Sequence, residues 1–375
     1  MNKLPHIFLK RIFKKTGPPI HLIWFITAKC DLRCSHCFYY RQVSTKAEEL
    51  SYAEINKTIS KLPPLLSLSL TGGEPFLRSD LLGITQLLFE KKITKNIVLF
   101  SNGFNTENIL ATTEKILSNC PNGNIFLGIS IDGFEEIHDR YRNKKGSYQR
   151  AIDTLKGLKN LKNNFSNLNI GIGITLHQGN QAIIKELRDD IYVKLGIKPG
   201  ITLIRGEPKS PELKNVDAEI YKKTISSLEN DRRASQHISL LQTIIATREV
   251  LGQKLAYKTF VRQSRSYYCY AGSLMGVIYE NGDVHPCEIL KDSCFGNLRD
   301  YNYDITKIWK SKKANQIRKL IGTGNCFCTY ECQYTCNTLY NIRFLPYFIR
   351  DILKYFINFW IVDRIKTKII RRKNE

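Results

Sequence analysis

The chain has 375 residues, 42% of them hydrophobic, which allows a sizeable core in one large α/β domain with appendages, or in two or three domains, and excludes wholesale disorder. Its formal charge of +23 favours anionic partners such as membrane phospholipid, nucleic acid or phosphorylated substrates. Eleven cysteines, an odd count in a chain this long, exclude a small secreted disulfide scaffold.

The first segment, 1–19, is basic: Lys3, Lys10, Arg11, Lys14 and Lys15 stand without an acid, and it lacks the sustained apolar stretch of a signal peptide. From residue 20 to 206, short β-rich runs alternate with helical stretches. Strands are predicted at Ile20–Ile26, Leu66–Leu70, Asn96–Phe100, Ile125–Ile131, Leu168–Thr175 and Ile201–Ile204, with helices near 51–62, 80–91, 105–118, 148–162 and 180–195. Continuous apolar strands such as LLSLSL indicate a parallel sheet covered on both faces. Six β/α repeats fit a partial barrel or a doubly wound sheet, and periodicity alone does not choose. Residues 207–262 read as a helical bridge, 263–340 as a small Cys-rich domain, and 341–375 as a basic amphipathic tail.

Three cysteines, Cys30, Cys34 and Cys37, lie in TAKCDLRCSHCFYY, just after the first strand. In a β/α barrel that position is the mouth where active sites are built. Three thiolates can hold three irons of a 4Fe-4S cluster and leave the fourth iron open to a small molecule. A zinc site is the other reading of the triad, with His36 folding back as a fourth ligand.

The Cys-x3-Cys-x2-Cys spacing resembles the signature of the radical S-adenosylmethionine (SAM) superfamily, with His36 at a position more often aromatic. Further motifs at later strand ends extend the resemblance through residues 20–205. TGGEP resembles the family's glycine-rich motif, which implies that Gly72, Gly73 and Glu74 hold the cofactor's amino group. SNG and SIDG similarly place Asn102, Ser130 and Asp132 near the cofactor. The resemblance implies a partial (β/α)6 TIM-like barrel. It also implies reductive cleavage of S-adenosylmethionine to a 5′-deoxyadenosyl radical that abstracts a hydrogen atom from a substrate, with a reductant such as flavodoxin or ferredoxin. In HDRYRNKKGSYQRAI, Arg140 or Arg142 can pair with a carboxylate. Arg205, in IRGEP after the sixth strand, is a candidate substrate contact.

Cys269-x12-Gly282-x4-Cys287 resembles the opening of a SPASM domain, an auxiliary iron–sulfur module. The tail departs from that family's pattern: it has Cys326, Cys328, Cys332 and Cys336, and no later cysteine. Cys269, Cys287, Cys326, Cys328, Cys332 and Cys336 are therefore the candidate auxiliary ligands, for one cluster from Cys269, Cys287, Cys336 and one other, or for two with a non-Cys ligand, with a four-Cys zinc site at 326–336 as the competing reading. Cys294 has no place in the motif, and Cys120 stands alone.

Residues 347–375 carry eight Lys/Arg against three acids, with Phe348, Ile352, Tyr355, Phe356 and Phe359 at helical spacing. Such a helix either lies on an anionic bilayer or docks on the protein's own core. The longest uncharged run there, Tyr355–Val362, is far short of the ~20 residues of a spanning helix. The expected location is the cytoplasm, with a peripheral hold on the membrane as an option. The substrate, a peptide or a lipid, sugar or other small metabolite, is left open. The alternative function is a non-enzymatic iron–sulfur or zinc protein that binds nucleic acid through its basic surface.

Overall fold

The run HLIWFIT is apolar at nearly every position. In the computed structural model it forms strand β1 (His21–Thr27), buried along its length except at His21. The structure describes residues 17–43, 48–234, 239–265, 267–290, 292–324, 326–329 and 331–357. They divide into two compact units, one from 1–220 with 270–326 and the other from 221–269 with 327–375.

In the first unit β1 is followed by β2 (Ser67–Gly72), β3 (Asn96–Ser101), β4 (Asn124–Ser130), β5 (Leu168–Leu176) and β6 (Gly200–Leu203). The helices between them are α1 (Tyr52–Lys61), α2 (Leu81–Glu90), α3 (Thr106–Asn119), α4 (Glu135–Arg142), α5 (Ser147–Asn164) and α6 (Ile184–Leu195). The six strands are parallel and run in the order β6-β5-β4-β3-β2-β1. A doubly wound sheet reverses its direction of growth at a switch point, whereas a barrel does not. The unbroken order therefore decides for the partial barrel.

The sheet does not stop at β1. Strand β7 (Met275–Ile278) adds to it in parallel, His21 opposite Met275, and β8 (Asp283–His285) and β9 (Gly296–Asn297) follow antiparallel. Part of the segment read as a small Cys-rich domain thus extends the barrel sheet to nine strands.

The second unit holds most of α7 (Ala218–Ala234), α8 (Leu240–Arg262) and, after the first unit's α9 (Lys312–Gly322), helix α10 (Glu331–Leu339). Its core joins Leu251, Ala256, Tyr267, Tyr334, Phe344 and Phe348. Residues 345–357 are helical, and Phe348 and Ile352 pack on that core. The rest of the basic tail, with Phe359, and most of the N-terminal segment lie outside the described residues. Among the described residues no helix is long and apolar enough to cross a membrane.

Candidate active site

The loop leaving β1 carries the three thiols to the C-terminal mouth of the sheet. There the TGGEP turn crosses it at backbone distance. Gly73 N–H donates to Thr27 O (2.9 Å) and Glu74 N–H to Lys29 O (2.7 Å). A Cβ on Gly72 would lie 2.1 Å from Thr27 O, and one on Gly73 2.2 Å from Lys29 O. Gly72 also has φ +149°, a conformation that side chains rarely adopt. Two glycines are the condition for this crossing.

The Glu74 carboxylate is buried and accepts from Asn102 N–H (2.8 Å) and Phe76 N–H (3.3 Å). Burial pushes its pKa up to about 7. The Asn102 side chain in turn donates to Asp31 of the cysteine loop (2.7 Å). Asn102 therefore bridges two carboxylates from two other loops, and Cys30 follows directly on this stitched backbone.

The far side of the cysteine loop is held by a second buried network. Asp132, fully buried after β4, pairs with Arg142 (2.6 Å) and lies 3.3 Å from His36 Nε2. It also accepts from Thr175 N–H at 2.8 Å. Burial alone would raise the Asp132 carboxyl, but Arg142 and the surrounding groups hold it well below the usual carboxylate range. Burial pushes His36 down to about 3, so the ring is neutral. His36 stacks on His177 at 5.4 Å. Arg142 Nη1 lies 3.9 Å from the Cys34 sulfur.

His138 and Arg142 stand one turn apart on α4, so both reach this network from one face. His138 Nδ1 accepts from Asp132 N–H at 3.1 Å, and Asn180 donates to Asp132 O at 2.8 Å. The sequence offered Arg140 or Arg142, of which Arg142 joins this network while Arg140 is exposed, and it did not mark Asp31, His138, His177 or Asn180. The i, i+4 spacing of His138 and Arg142 was the available signal. The stretch read as the start of a bridge lies against the same loop: Lys209 N–H donates to Cys37 O (3.1 Å) and Ser210 N–H to Ser35 O (2.9 Å).

Three thiols on one loop are a donor set that fits an iron–sulfur cluster. Burial pushes Cys30 up to about 12 and Cys37 up to about 11, and raises Cys34. Buried thiols of this kind ionise when a metal takes the charge.

Ser130 ends β4, half-buried at the same mouth. Arg205, just past β6, lies over the Phe38 ring at 4.9 Å and 3.7 Å from Glu288. The tail cysteines fall in both units. Cys287 is buried and Cys326 half-buried in the first; Cys269 and Cys336 are buried and Cys328 half-buried in the second. In the second unit Tyr267 lies beside Cys328 and Cys269, and Tyr334 O–H donates to Cys328 O at 2.9 Å. The Cys332 side chain lies outside the described residues.

The mouth of the parallel barrel thus brings three half-buried thiols together with a double-glycine crossing. The model of the radical SAM superfamily matches residues 24–183, and that of the SPASM iron–sulfur cluster-binding domain matches 269–337. The chain belongs to the radical SAM superfamily, with a C-terminal SPASM-type region. Membership implies a 4Fe-4S cluster, an auxiliary SPASM-region cluster, an external reductant and a substrate.

Among curated relatives, the pre-heme d1 synthase of Dinoroseobacter shibae is 29% identical over 50% of this chain and 44% of its own length. The sporulation killing factor maturation protein SkfB of Bacillus subtilis is 25% identical over 83% of this chain and 69% of its own. The chain thus spans under half of the first relative. Streptococcus suis SuiB bound to S-adenosylmethionine has a similar fold, with TM-score 0.58 and 16% identity over 85% of this chain and 74% of that one.

Proposed function

We propose that Cys30, Cys34 and Cys37 hold the 4Fe-4S cluster and that Gly72, Gly73, Glu74, Asn102, Ser130, Asp132 and His36 form the S-adenosylmethionine side of the mouth. When bound, the cluster supplies the electron that breaks the cofactor's sulfur–carbon bond. The chain's own residues divide the remaining work. Gly72 and Gly73 bring backbone within reach of the cofactor, and Ser130 offers a hydroxyl. Asn102 and Glu74 fix the Cys30 side of the loop, while Asp132, Arg142 and His36 fix the Cys34 side. Arg205 is assigned to the substrate side of the mouth, where its guanidinium can pair with an anionic group. The substrate is a peptide or a small metabolite, since a killing factor maturation protein and a pre-heme d1 synthase both stand among the relatives. Cys269, Cys287, Cys326, Cys328, Cys332 and Cys336 supply the auxiliary ligands. A flavodoxin- or ferredoxin-type donor is the reductant.

The observation that carries this reading is the crossing of the GGE backbone over the cysteine loop. The test is anaerobic reconstitution of the full chain, iron and sulfide counting, reduction, and chromatography for 5′-deoxyadenosine. The nucleoside is expected from the parent protein and not from the Cys30/Cys34/Cys37→Ala variant, which keeps only tail-bound iron. A fully loaded, reduced protein that forms none overturns the reading.

The second unit favours one further partner, an anionic membrane surface. Its last described helix buries Phe348 and half-buries Ile352 but exposes Leu345, Ile349, Leu353 and Phe356 alongside them, with Arg350 and Lys354 further round the helix. An exposed apolar face among cations suits the interface of an anionic bilayer. The chain is expected to co-sediment with phosphatidylglycerol vesicles and not with neutral ones. Replacing Leu345, Ile349 and Leu353 by Gln should abolish this, and unchanged binding would refute it.

A further inference from the structure

Strand β8 is three residues long, and its period of two places Asp283 and His285 on one face. Strand β9 runs back along it, Asn297 opposite Asp283 and Gly296 opposite Val284, so the chain just before β9 passes the far end of β8. That chain carries Cys294. A ring nitrogen of His285, a carboxylate oxygen of Asp283 and the Cys294 sulfur all lie within 4.8 Å of one another.

Each of the three is already held. His285 is only 7% exposed, and its Nδ1 is buried with no hydrogen-bond partner. The ring bonds to the Leu290 carbonyl, which leaves Nδ1 as the nitrogen with a lone pair to give. The ring plane is fixed by the edge contact of Tyr279 at 5.0 Å. Asp283 accepts from Asn281 Nδ2 and Asn297 Nδ2, both at 2.9 Å, and a carboxylate so bonded keeps further lone pairs. Cys294 lies 3.6 Å from Gly296 O, half-buried. Imidazoles and carboxylates oriented by outer hydrogen bonds in this way are the usual surroundings of a metal ligand set.

We propose that Asp283, His285 and Cys294 form a mononuclear zinc site, separate from the iron–sulfur ligands, that pins β9 to β8. The ligand chemistry selects the ion. Calcium and magnesium take oxygen ligands, whereas one thiolate, one imidazole and one carboxylate suit borderline-soft zinc. With Cys294 ionised the trio carries two negative charges, which a divalent cation neutralises. Separations of no more than 4.8 Å lie close to the about 3.3–3.8 Å between the ligand atoms of a tetrahedral site. Water completes the fourth position. Bound there, the metal adds a staple to the backbone hydrogen bonds that already join β9 to β8.

The test uses the full chain with its clusters loaded, equilibrated with Zn2+ and desalted. Elemental analysis should find about one zinc per chain. His285→Gln and Cys294→Ser should lose it with iron and sulfide unchanged. X-ray absorption at the zinc edge should show one sulfur among nitrogen and oxygen neighbours. Zinc should also raise the melting temperature of the parent and not that of Cys294→Ser. If a variant fails to fold, the absorption spectrum of the parent decides. Absence of zinc, an all-sulfur shell, zinc retained in both variants, or iron lost together with zinc in Cys294→Ser would each overturn the proposal.

Discussion

The mouth of the barrel and the β7–β9 extension carry cysteines in opposite ways. In the mouth, three thiols follow one another on a single loop, and residues from several strand ends clamp that loop through buried hydrogen bonds and an ion pair. In the extension, ligand-type atoms meet only because two antiparallel strands set Cys294 beside alternate residues of β8. The first arrangement is written in contiguous sequence. The second exists only once strand register is known. A site of the first kind should fail when its clamps fail, and a site of the second kind should fail when its strands separate.

The largest expected effect is at the crossing. Gly73→Ala places a Cβ 2.2 Å from the Lys29 carbonyl, which is backbone and cannot move aside alone. The variant is expected to lose the mouth's iron and 5′-deoxyadenosine formation while keeping tail-bound iron, by elemental analysis and chromatography. Iron retained at the mouth would mean that the loop needs no such close crossing.

Next comes Arg142→Ala, which strands the Asp132 carboxylate in a site without exposure. Removing one partner of a buried pair costs about 3–5 kcal/mol. Chemical denaturation should show that loss, and adding Asp132→Asn should recover part of it, because no buried charge is then left unpaired. A loss below about 1 kcal/mol would be that of an exposed pair and would show that water reaches the network.

A smaller effect follows from His138. Its Nδ1 accepts the Asp132 N–H, and burial lowers its pKa to about 4, against an ordinary value of 6.5. The unfolded chain takes up a proton that the folded one refuses. The stability is thus fully present above about pH 6.5 and is lost as pH falls toward about 4, by at most ~1.4 kcal/mol per pH unit. His138→Asn keeps an acceptor and cannot titrate there, so its unfolding free energy should fall less steeply over that window. Parallel pH profiles for parent and variant would remove His138 from the account.

Much of the barrel was legible in advance, because apolar periodicity is local. β1 to β6 lie within two residues of the expected runs, and the helices agree similarly, except that the 180–195 helix opens with a 3-10 turn, Gln181–Ile183, and becomes α-helical at Ile184. Strand order was not legible, nor was the pairing of β1 with β7, since His21 and Met275 meet only in the fold. The site shows the same division. Cys30, Cys34, Cys37 and the GGE turn announce themselves by spacing. The partners that occupy Asn102, Asp132 and His36 do not, because Asp31 and Arg142 come from other loops and helices. For the tail helix, spacing found the apolar residues but not which of them face the core: Phe348 is buried and Phe356 exposed.

The smallest effect joins the two regions. Glu54 stands in the first turn of α1, where its carboxylate accepts from Ser51 N–H (2.9 Å) as half of a capping box. The same carboxylate binds Arg299 Nε (2.6 Å) and Tyr303 O–H (3.0 Å) from the chain just after β9. Arg299 is the main reason that its pKa falls to about 2. The contribution is therefore complete above about pH 4.3 and is lost only as pH falls toward 2, so acid near neutrality should not disturb it. Glu54→Gln keeps a side chain that completes the capping box but removes the charge-assisted fork to Arg299, at a cost of about 1 kcal/mol for a partly exposed pair. Hydrogen exchange should quicken at the β8 and β9 amides and stay unchanged at β2 to β4. If the amides around Glu74 and Asn102 quicken equally, the extension and the mouth open as one cooperative body, and the contrast between contiguous and register-built sites does not extend to their stability.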